Sequence, residues 1–244
     1  MPDPAVVAIF GPTGIGKTAV AVALAGLLRE RGEDPVAVSA DALQVYRGLE
    51  ALTGAATADE RAQLEHRLIG FVPISERFSV GDYAQLAHAE IDGLLGEGRR
   101  PIVVGGTGLY LRAALANLSF ERPAPGESSE LWSEETRHPT LLCGLVMERT
   151  ELYERIEERV DAIVAAGAEA QARAADAGGA SRTSRKALGF QELLEGDIHG
   201  LKRRTRNYAR RQLTWMRKMP GVLTIDVTGR TPSCVADEIA AALP

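Results

Sequence analysis

Three features of the sequence predict an α/β fold, a parallel sheet with helices on both faces. Short, mostly apolar runs at Val6-Val7-Ala8-Ile9-Phe10, Val36-Ala37-Val38-Ser39, Pro101-Ile102-Val103-Val104 and residues 140 to 147 alternate with stretches of helical periodicity. Such alternation marks βαβ units, which build parallel sheets covered on both sides. The first run leads straight into Gly11-Pro12-Thr13-Gly14-Ile15-Gly16-Lys17-Thr18, which fits G-x-x-x-x-G-K-[ST] in full. The length, 244 residues, suits one sizeable α/β domain with room for a small appendage.

The first strand, the glycine loop and a helix patterned on Ala19, Val20, Ala23, Leu24, Leu27 and Leu28 predict a P-loop NTPase-like core. In that arrangement backbone N–H groups and the helix N-terminus face an anion. Lys17 adds a point charge for a terminal phosphate, and Thr18 a hydroxyl for Mg²⁺. The motif therefore predicts a bound diphosphate or polyphosphate without saying which.

After a turn at Gly32 to Pro35, the second strand delivers Ala40-Asp41-Ala42-Leu43-Gln44-Val45-Tyr46-Arg47 to the carboxyl edge of the sheet. Ligands bind at that edge in open α/β sheets. Residues 50 to 75 show no clean period and are expected to be loop with a short helix. Ser79 or Asp82 is positioned to cap a helix through Leu86, Ala87, Ile91, Leu94 and Leu95, which Gly96 to Arg100 ends. The third strand runs into Gly105-Gly106-Thr107-Gly108 and a helix from Leu109. Residues 119 to 139, with Pro123, Pro125, Gly126, Ser128, Ser129 and Pro139 among charges, read as a linker. A helix from Glu151 to Ala165 carries Leu152, Ile156, Val160 and Ile163 on one stripe, and residues 176 to 186 read as loop. Lys202 to Lys218 predicts one long basic helix, Val222 to Ile225 a last strand, and Cys234 to Leu243 a terminal helix. The chain thus divides into a first core segment at 1–118, a linker at 119–139 and the rest of the core at 140–244.

Asp41 is the sharpest catalytic candidate. It follows a strand expected beside the glycine loop, so its carboxylate reads as a general base or a ligand to Mg²⁺. The plainer reading is a turn Asp that bonds its own backbone. The third strand ends in Gly105-Gly106-Thr107 with no carboxylate, where many nucleotide hydrolases place a Mg²⁺-binding Asp. Paired glycines there predict close approach by a ligand, or a tight turn. Lys202 to Lys218 holds eight Lys or Arg residues and no Asp or Glu in a protein of net charge −5. That local excess predicts a polyanion surface, with Tyr208 and Trp215 as stacking groups. Arg155 and Arg159 share a helix face and, from composition, read as surface partners of Glu151, Glu154 and Glu158.

Composition excludes several classes. Cys143 and Cys234 belong to no C-x-x-C and the four histidines are scattered, so neither a disulfide framework nor a zinc site is indicated. Cys143 reads as a buried small hydrophobe. No apolar run is long enough for a membrane span or a secretory signal, so a cytoplasmic protein without membrane contact is expected.

Six ordered blocks resemble the tRNA dimethylallyltransferase family. They are the glycine loop, Ser39-Ala40-Asp41 with Gln44-Val45-Tyr46-Arg47-Gly48, Val104-Gly105-Gly106-Thr107-Gly108-Leu109-Tyr110, Leu152-Tyr153 with Arg155-Ile156 and Arg159-Val160-Asp161, Leu188-Gly189-Phe190-Gln191-Glu192, and Thr205-Arg206-Asn207-Tyr208-Ala209-Arg210-Arg211-Gln212-Leu213-Thr214-Trp215. The resemblance implies transfer of a dimethylallyl group from dimethylallyl diphosphate to N6 of the adenosine beside the anticodon, position 37, with Mg²⁺. It implies that the glycine loop holds the donor diphosphate rather than ATP, that Asp41 is the base, and that Thr13 and Arg159 stabilise the leaving group. Ala42, Leu43, Gln44 and Thr107 would meet the adenosine, and Arg206, Arg210 and Arg211 the anticodon stem-loop of the tRNA.

Three departures accompany the resemblance, one of them the loose match of Ser181-Arg182-Thr183-Ser184-Arg185. Only a short polar segment stands between Gly108 and Leu142, where the family has a helical insertion, and Leu52-Thr53-Gly54-Ala55-Ala56-Thr57 lacks a family lysine. A shortened, monomeric transferase is therefore expected. The alternatives are prenylation of free adenine nucleotides, a small-molecule kinase, and a non-catalytic RNA-binding protein.

Overall fold

The computed structural model describes residues 5–119 and 130–243. Its strands, β1 (Val6–Phe10), β2 (Pro35–Ser39), β3 (His66–Arg67), β4 (Arg100–Gly105), β5 (Thr140–Val146) and β6 (Leu223–Asp226), form one sheet in the order β3-β2-β4-β1-β5-β6. Every pairing is parallel, with Val7 opposite Ile102 and Val6 opposite Thr140 on the two sides of β1. β1 and β2 are buried along their whole length, which is why they read as unbroken apolar runs.

Alternate residues feed two cores. Val7, Ile9, Ala37, Ile102 and Cys143 pack against α1 (Lys17–Glu30) and α10 (Pro232–Ala241), while Val6, Ala8, Phe10, Val36 and Val103 pack against α4 (Val80–Gly96) and α5 (Gly108–Leu115). Cys143 is buried as expected. Ser79 caps α4, and Asp82 closes the capping box by accepting the Ser79 N–H. Helix α1 follows Gly16 with no side-chain cap, leaving its first amides to whatever lies in front of them.

A third core sits over the carboxyl edge. Leu52 of α2 (Glu50–Thr53), Val160 of α6 (Arg149–Ala165), Ala168 and Ala172 of α7 (Ala168–Ala177), Leu193 of α8 (Phe190–Glu195) and Leu201 of α9 (Ile198–Met216) pack together with Val45 and Tyr46. This helical layer roofs the sheet edge where the glycine loop lies.

The structure corrects several expectations. Residues 50 to 75 hold two short helices, α2 and α3 (Ala58–Gln63), and the edge strand β3. Helix α7 was not foreseen, because its buried positions are Ala168, Ala172 and Ala175, which give little hydrophobic contrast. Helix α9 starts at Ile198, where Asp197 accepts the Gly200 N–H, rather than at Lys202. β2 does not border β1; β4 lies between them. Of the expected linker, residues 120–129, including Pro123, Pro125, Gly126, Ser128 and Ser129, lie outside the described residues. Its described part is fastened to the core: Arg112 donates to the carbonyls of Leu131 and Glu135, both at 3.2 Å. Trp132 packs on Trp215 with ring centroids 4.9 Å apart.

Candidate active site

The glycine loop takes its shape from Gly14 and Gly16, whose φ angles of +84° and +93° suit glycine alone among common residues. Ile15 between them is buried and anchors the loop to the core beneath α1. Lys17 Nζ folds back to donate to the carbonyls of Gly11 and Pro12, each at 3.0 Å. Thr13, at the crown, donates its backbone N–H to Gln212 Oε1 of α9 at 2.8 Å.

The loop opens on a cavity of about 250 Å³ whose walls include Thr13, Lys17, Thr18, Asp41, Thr107 and Arg159. Strand order explains the convergence: β1 ends in the glycine loop, β2 in Asp41 and β4 in Thr107, and all three strands run the same way. Arg159 arrives from α6 above. Its NH2 donates to the Thr53 carbonyl at 3.2 Å, and a Cβ on Gly54 would lie 1.9 Å from that nitrogen. Arg159 is therefore not the surface partner that composition suggests, while that reading holds for Arg155, which pairs with Glu151 at 2.9 Å.

Asp41 makes the turn contacts weighed for it and also faces the cavity. Its Oδ1 accepts the N–H groups of Leu43 at 2.9 Å and Gln44 at 3.3 Å, fixing the turn. The same carboxylate lines the cavity, and its charge reaches Lys17, Arg159 and Tyr208. Burial, then the Arg159 charge, pushes Lys17 down to about 8, against the opposing pull of Asp41. Burial also lowers the Arg159 pKa, again opposed by Asp41. The cavity thus holds two desolvated cations that an anionic ligand would restore to full basicity.

Ala42 and Leu43 line the cavity, and the Ala42 N–H reaches Thr107 Oγ1 at 3.5 Å. Gln44 is held between the Ser39 hydroxyl at 2.9 Å and, through its Nε2, the Gly54 carbonyl at 3.4 Å. The paired glycines at the end of β4 line the cavity, and both also make room for protein atoms. A Cβ on Gly105 would lie 2.2 Å from Ala40 O, and one on Gly106 would lie 2.3 Å from Gln212 Nε2.

Helix α9 forms one wall. Tyr208 meets Thr107 Oγ1 at 3.4 Å, and burial raises its pKa to about 12, keeping it a neutral hydroxyl. Trp215 is not a free stacking group, because it lies against Gly108 and Trp132. The basic run is also not uniform. Lys202, Arg204 and Arg206 pair with Asp161, Glu192 and Glu157 at 2.6 to 2.8 Å. Arg210, Arg211, Arg217 and Lys218 are exposed and make no ion pair among the described residues. Arg211 stacks on Tyr208 and lines the cavity mouth.

Sequence reasoning missed Gln212. Its Nε2 donates to the Gly106 carbonyl at 2.7 Å while Oε1 holds Thr13, so one buried amide joins two loops. The available signal was its place in the inner stripe Leu201, Thr205, Ala209, Gln212, Met216 of an otherwise basic helix. Among the described residues no cluster of His, Cys, Asp and Glu could hold a metal unaided, and no helix is long and apolar enough to cross a membrane.

The family model for IPP transferase matches residues 44–138 and 124–219, and that for isopentenyl transferase matches residues 4–77. A tRNA dimethylallyltransferase of Limosilactobacillus fermentum is 32% identical, over 92% of this chain and 94% of its own. One from Desulforudis audaxviator is 34% identical, over 92% of each chain. The crystal structure of the tRNA isopentenylpyrophosphate transferase of Bacillus halodurans superposes with a TM-score of 0.82 and 31% identity, covering 97% of this chain and 95% of that one. The first alignment runs over 292 positions, more than the 244 residues present here, so that relative has residues without a counterpart in this chain.

Proposed function

The chain belongs to the IPP transferase family, and from that premise we propose that it transfers the dimethylallyl group of dimethylallyl diphosphate to N6 of the adenosine at position 37, beside the anticodon of tRNA. The observation that carries the reading is the meeting of Lys17, Arg159 and Asp41 at one cavity between a phosphate loop and a basic helix.

The diphosphate lies on the N–H groups of the glycine loop and the uncapped start of α1, with Lys17 and Arg159 on its oxygens. N6 attacks C1 of the dimethylallyl group, the C1–O bond breaks, and its electron pair leaves on diphosphate. Arg159, Lys17 and the Thr13 hydroxyl stabilise that growing charge, the two cations from buried positions. Asp41 accepts the proton that N6 gives up. Gln44 and Thr107 orient the adenine, which must leave its stack to enter. Arg210 and Arg211 meet the phosphates of the anticodon loop.

Mg²⁺ fits the residues present: Thr18 would offer its hydroxyl oxygen at the cavity, and this ion commonly completes its shell with substrate phosphates and waters. When bound it supplies charge neutralisation on the diphosphate. The shortened form is supported by the family match, which breaks into two segments overlapping at 124–138, inside the expected linker.

The test is transfer from labelled dimethylallyl diphosphate with Mg²⁺, offering an unmodified anticodon stem-loop with adenosines at positions 36 to 38 and, separately, AMP. Label is expected on the RNA. Label on AMP alone would replace the proposal with prenylation of free nucleotides.

A further inference from the structure

Three successive turns on the inner side of α9 are seated on the loop that follows β4. Tyr208 meets Thr107 at 3.4 Å, Gln212 holds the Gly106 carbonyl at 2.7 Å, and Trp215 lies so close to Gly108 that a Cβ there would be 2.3 Å from its ring. Gln212 alone of these three also takes hold of the glycine loop, through the Thr13 N–H at 2.8 Å.

The crown of the glycine loop is gripped from two sides. Lys17 binds the carbonyls of Gly11 and Pro12, and Gln212 binds the next amide, Thr13, from 199 residues away. An arriving diphosphate competes with those carbonyls for Lys17. Gln212 then remains as the side chain that fixes the crown. Gln212 is 5% exposed and both ends of its amide are engaged, so a shift of α9 must pull Thr13 with it or leave buried polar groups unpaired.

We infer that Gln212 is a positioning residue that couples the two substrate sites, making the shape of the donor loop depend on the seating of α9, the helix whose outer arginines face RNA. This rests on the proposed transferase function. Either substrate, by ordering the shared element, lowers the ordering cost left to the other, and the coupling is reciprocal.

The experiment measures binding of the anticodon stem-loop with and without saturating inorganic diphosphate and Mg²⁺, and binding of diphosphate with and without the stem-loop. In the unaltered protein each ligand is expected to tighten the other about tenfold, within the span of about 5- to 150-fold common for such coupling. Gln212→Met is expected to bring the factor close to one while each ligand alone still binds. The RNA KM at saturating donor then rises toward the Kd measured without donor.

Gly106→Ala provides a second route: its Cβ would fall 2.3 Å from Gln212 Nε2, with Gly11 O at 3.2 Å and Lys17 Nζ at 3.4 Å, and would displace the Gln212 amide without altering residue 212. The same loss of coupling is expected, with thermal melting confirming that each variant is folded. A factor of one in the unaltered protein overturns the inference and leaves transfer activity standing. Coupling retained in a folded variant of either kind overturns it as well. Failure of the unaltered protein to bind the stem-loop removes the transferase reading itself, and the coupling with it.

Discussion

Arg159 and Arg210 carry the same guanidinium into opposite surroundings. Arg159 lies in the cavity wall against Gly54, hydrogen-bonded to the Thr53 carbonyl, with Lys17 as a neighbouring cation. Arg210 stands exposed on α9 with Asn207 as its side-chain partner. Burial weakens the hold of Lys17 and Arg159 on their protons, and an anion bound beside them would strengthen it. The outer arginines are solvated already, and what they contribute to an RNA is mainly the release of its counterions. Between these extremes Lys202, Arg204 and Arg206 are matched with carboxylates of α6 and α8 and serve to hold helices together. A run of positive charge in the sequence thus divides, in the fold, into cations left exposed without an ion pair among the described residues and cations that brace.

Four measurements test that division, beginning with the largest effect. Asp41→Ala is expected to lower the single-turnover rate by about 10²- to 10⁴-fold, the usual worth of a general base. Diphosphate affinity and the salt dependence of RNA binding should stay near their starting values. A variant that retains most of the rate would remove Asp41 from the role of base.

The second effect concerns pH. Diphosphate binds the protonated Lys17, whose pKa in the free protein is about 8. Donor affinity is therefore expected to be flat below that pH and to fall by up to about tenfold per pH unit above it. Calorimetry near pH 9 in buffers of different ionisation heat should register proton uptake on binding. Absence of uptake would mean that Lys17 does not contact the anion.

Third, replacing Arg210 and Arg211 together with Gln should reduce the slope of log Kobs against log salt by about 1.4 to 1.8, the loss of two phosphate contacts. At saturating RNA the rate should change less than the RNA KM. An unaltered slope would show that this end of α9 does not face RNA. The smallest effect is expected from Arg206→Gln: a slope near that of the unaltered protein, and a stability change of about 0 to 1 kcal/mol, typical of a partly exposed ion pair. A slope change as large as one contact would mean that Arg206 leaves Glu157 for RNA.

The central strands were legible because burial on both faces makes them continuous apolar runs, and Ser79 because a capping box is a local pattern. The glycine loop and Asp41 were legible because strand ends at the carboxyl edge converge by topology alone. Helix α7 was hidden by its alanine stripe, and β3, with two residues, is too short to show a period. Arg159 was misread from composition because glutamates around it suggested surface pairs. Its true neighbour is the backbone at Thr53 and Gly54, far away in sequence. Gln212 and the reason for Gly105-Gly106 were illegible for the same cause. Periodicity reports which side of an element is buried, not which distant atom waits there.

The stacking of Trp132 on Trp215 has an optical consequence. The chain has two tryptophans, and they form this one pair, at 4.9 Å and 47°, with Lys218 over the Trp132 ring. Intrinsic emission and near-ultraviolet dichroism of this protein therefore come chiefly from the junction between the fastened end of the linker and the free basic end of α9. Any ligand that shifts that end changes the signal without a label being attached, so the seating of α9 can be followed in real time from the protein's own light.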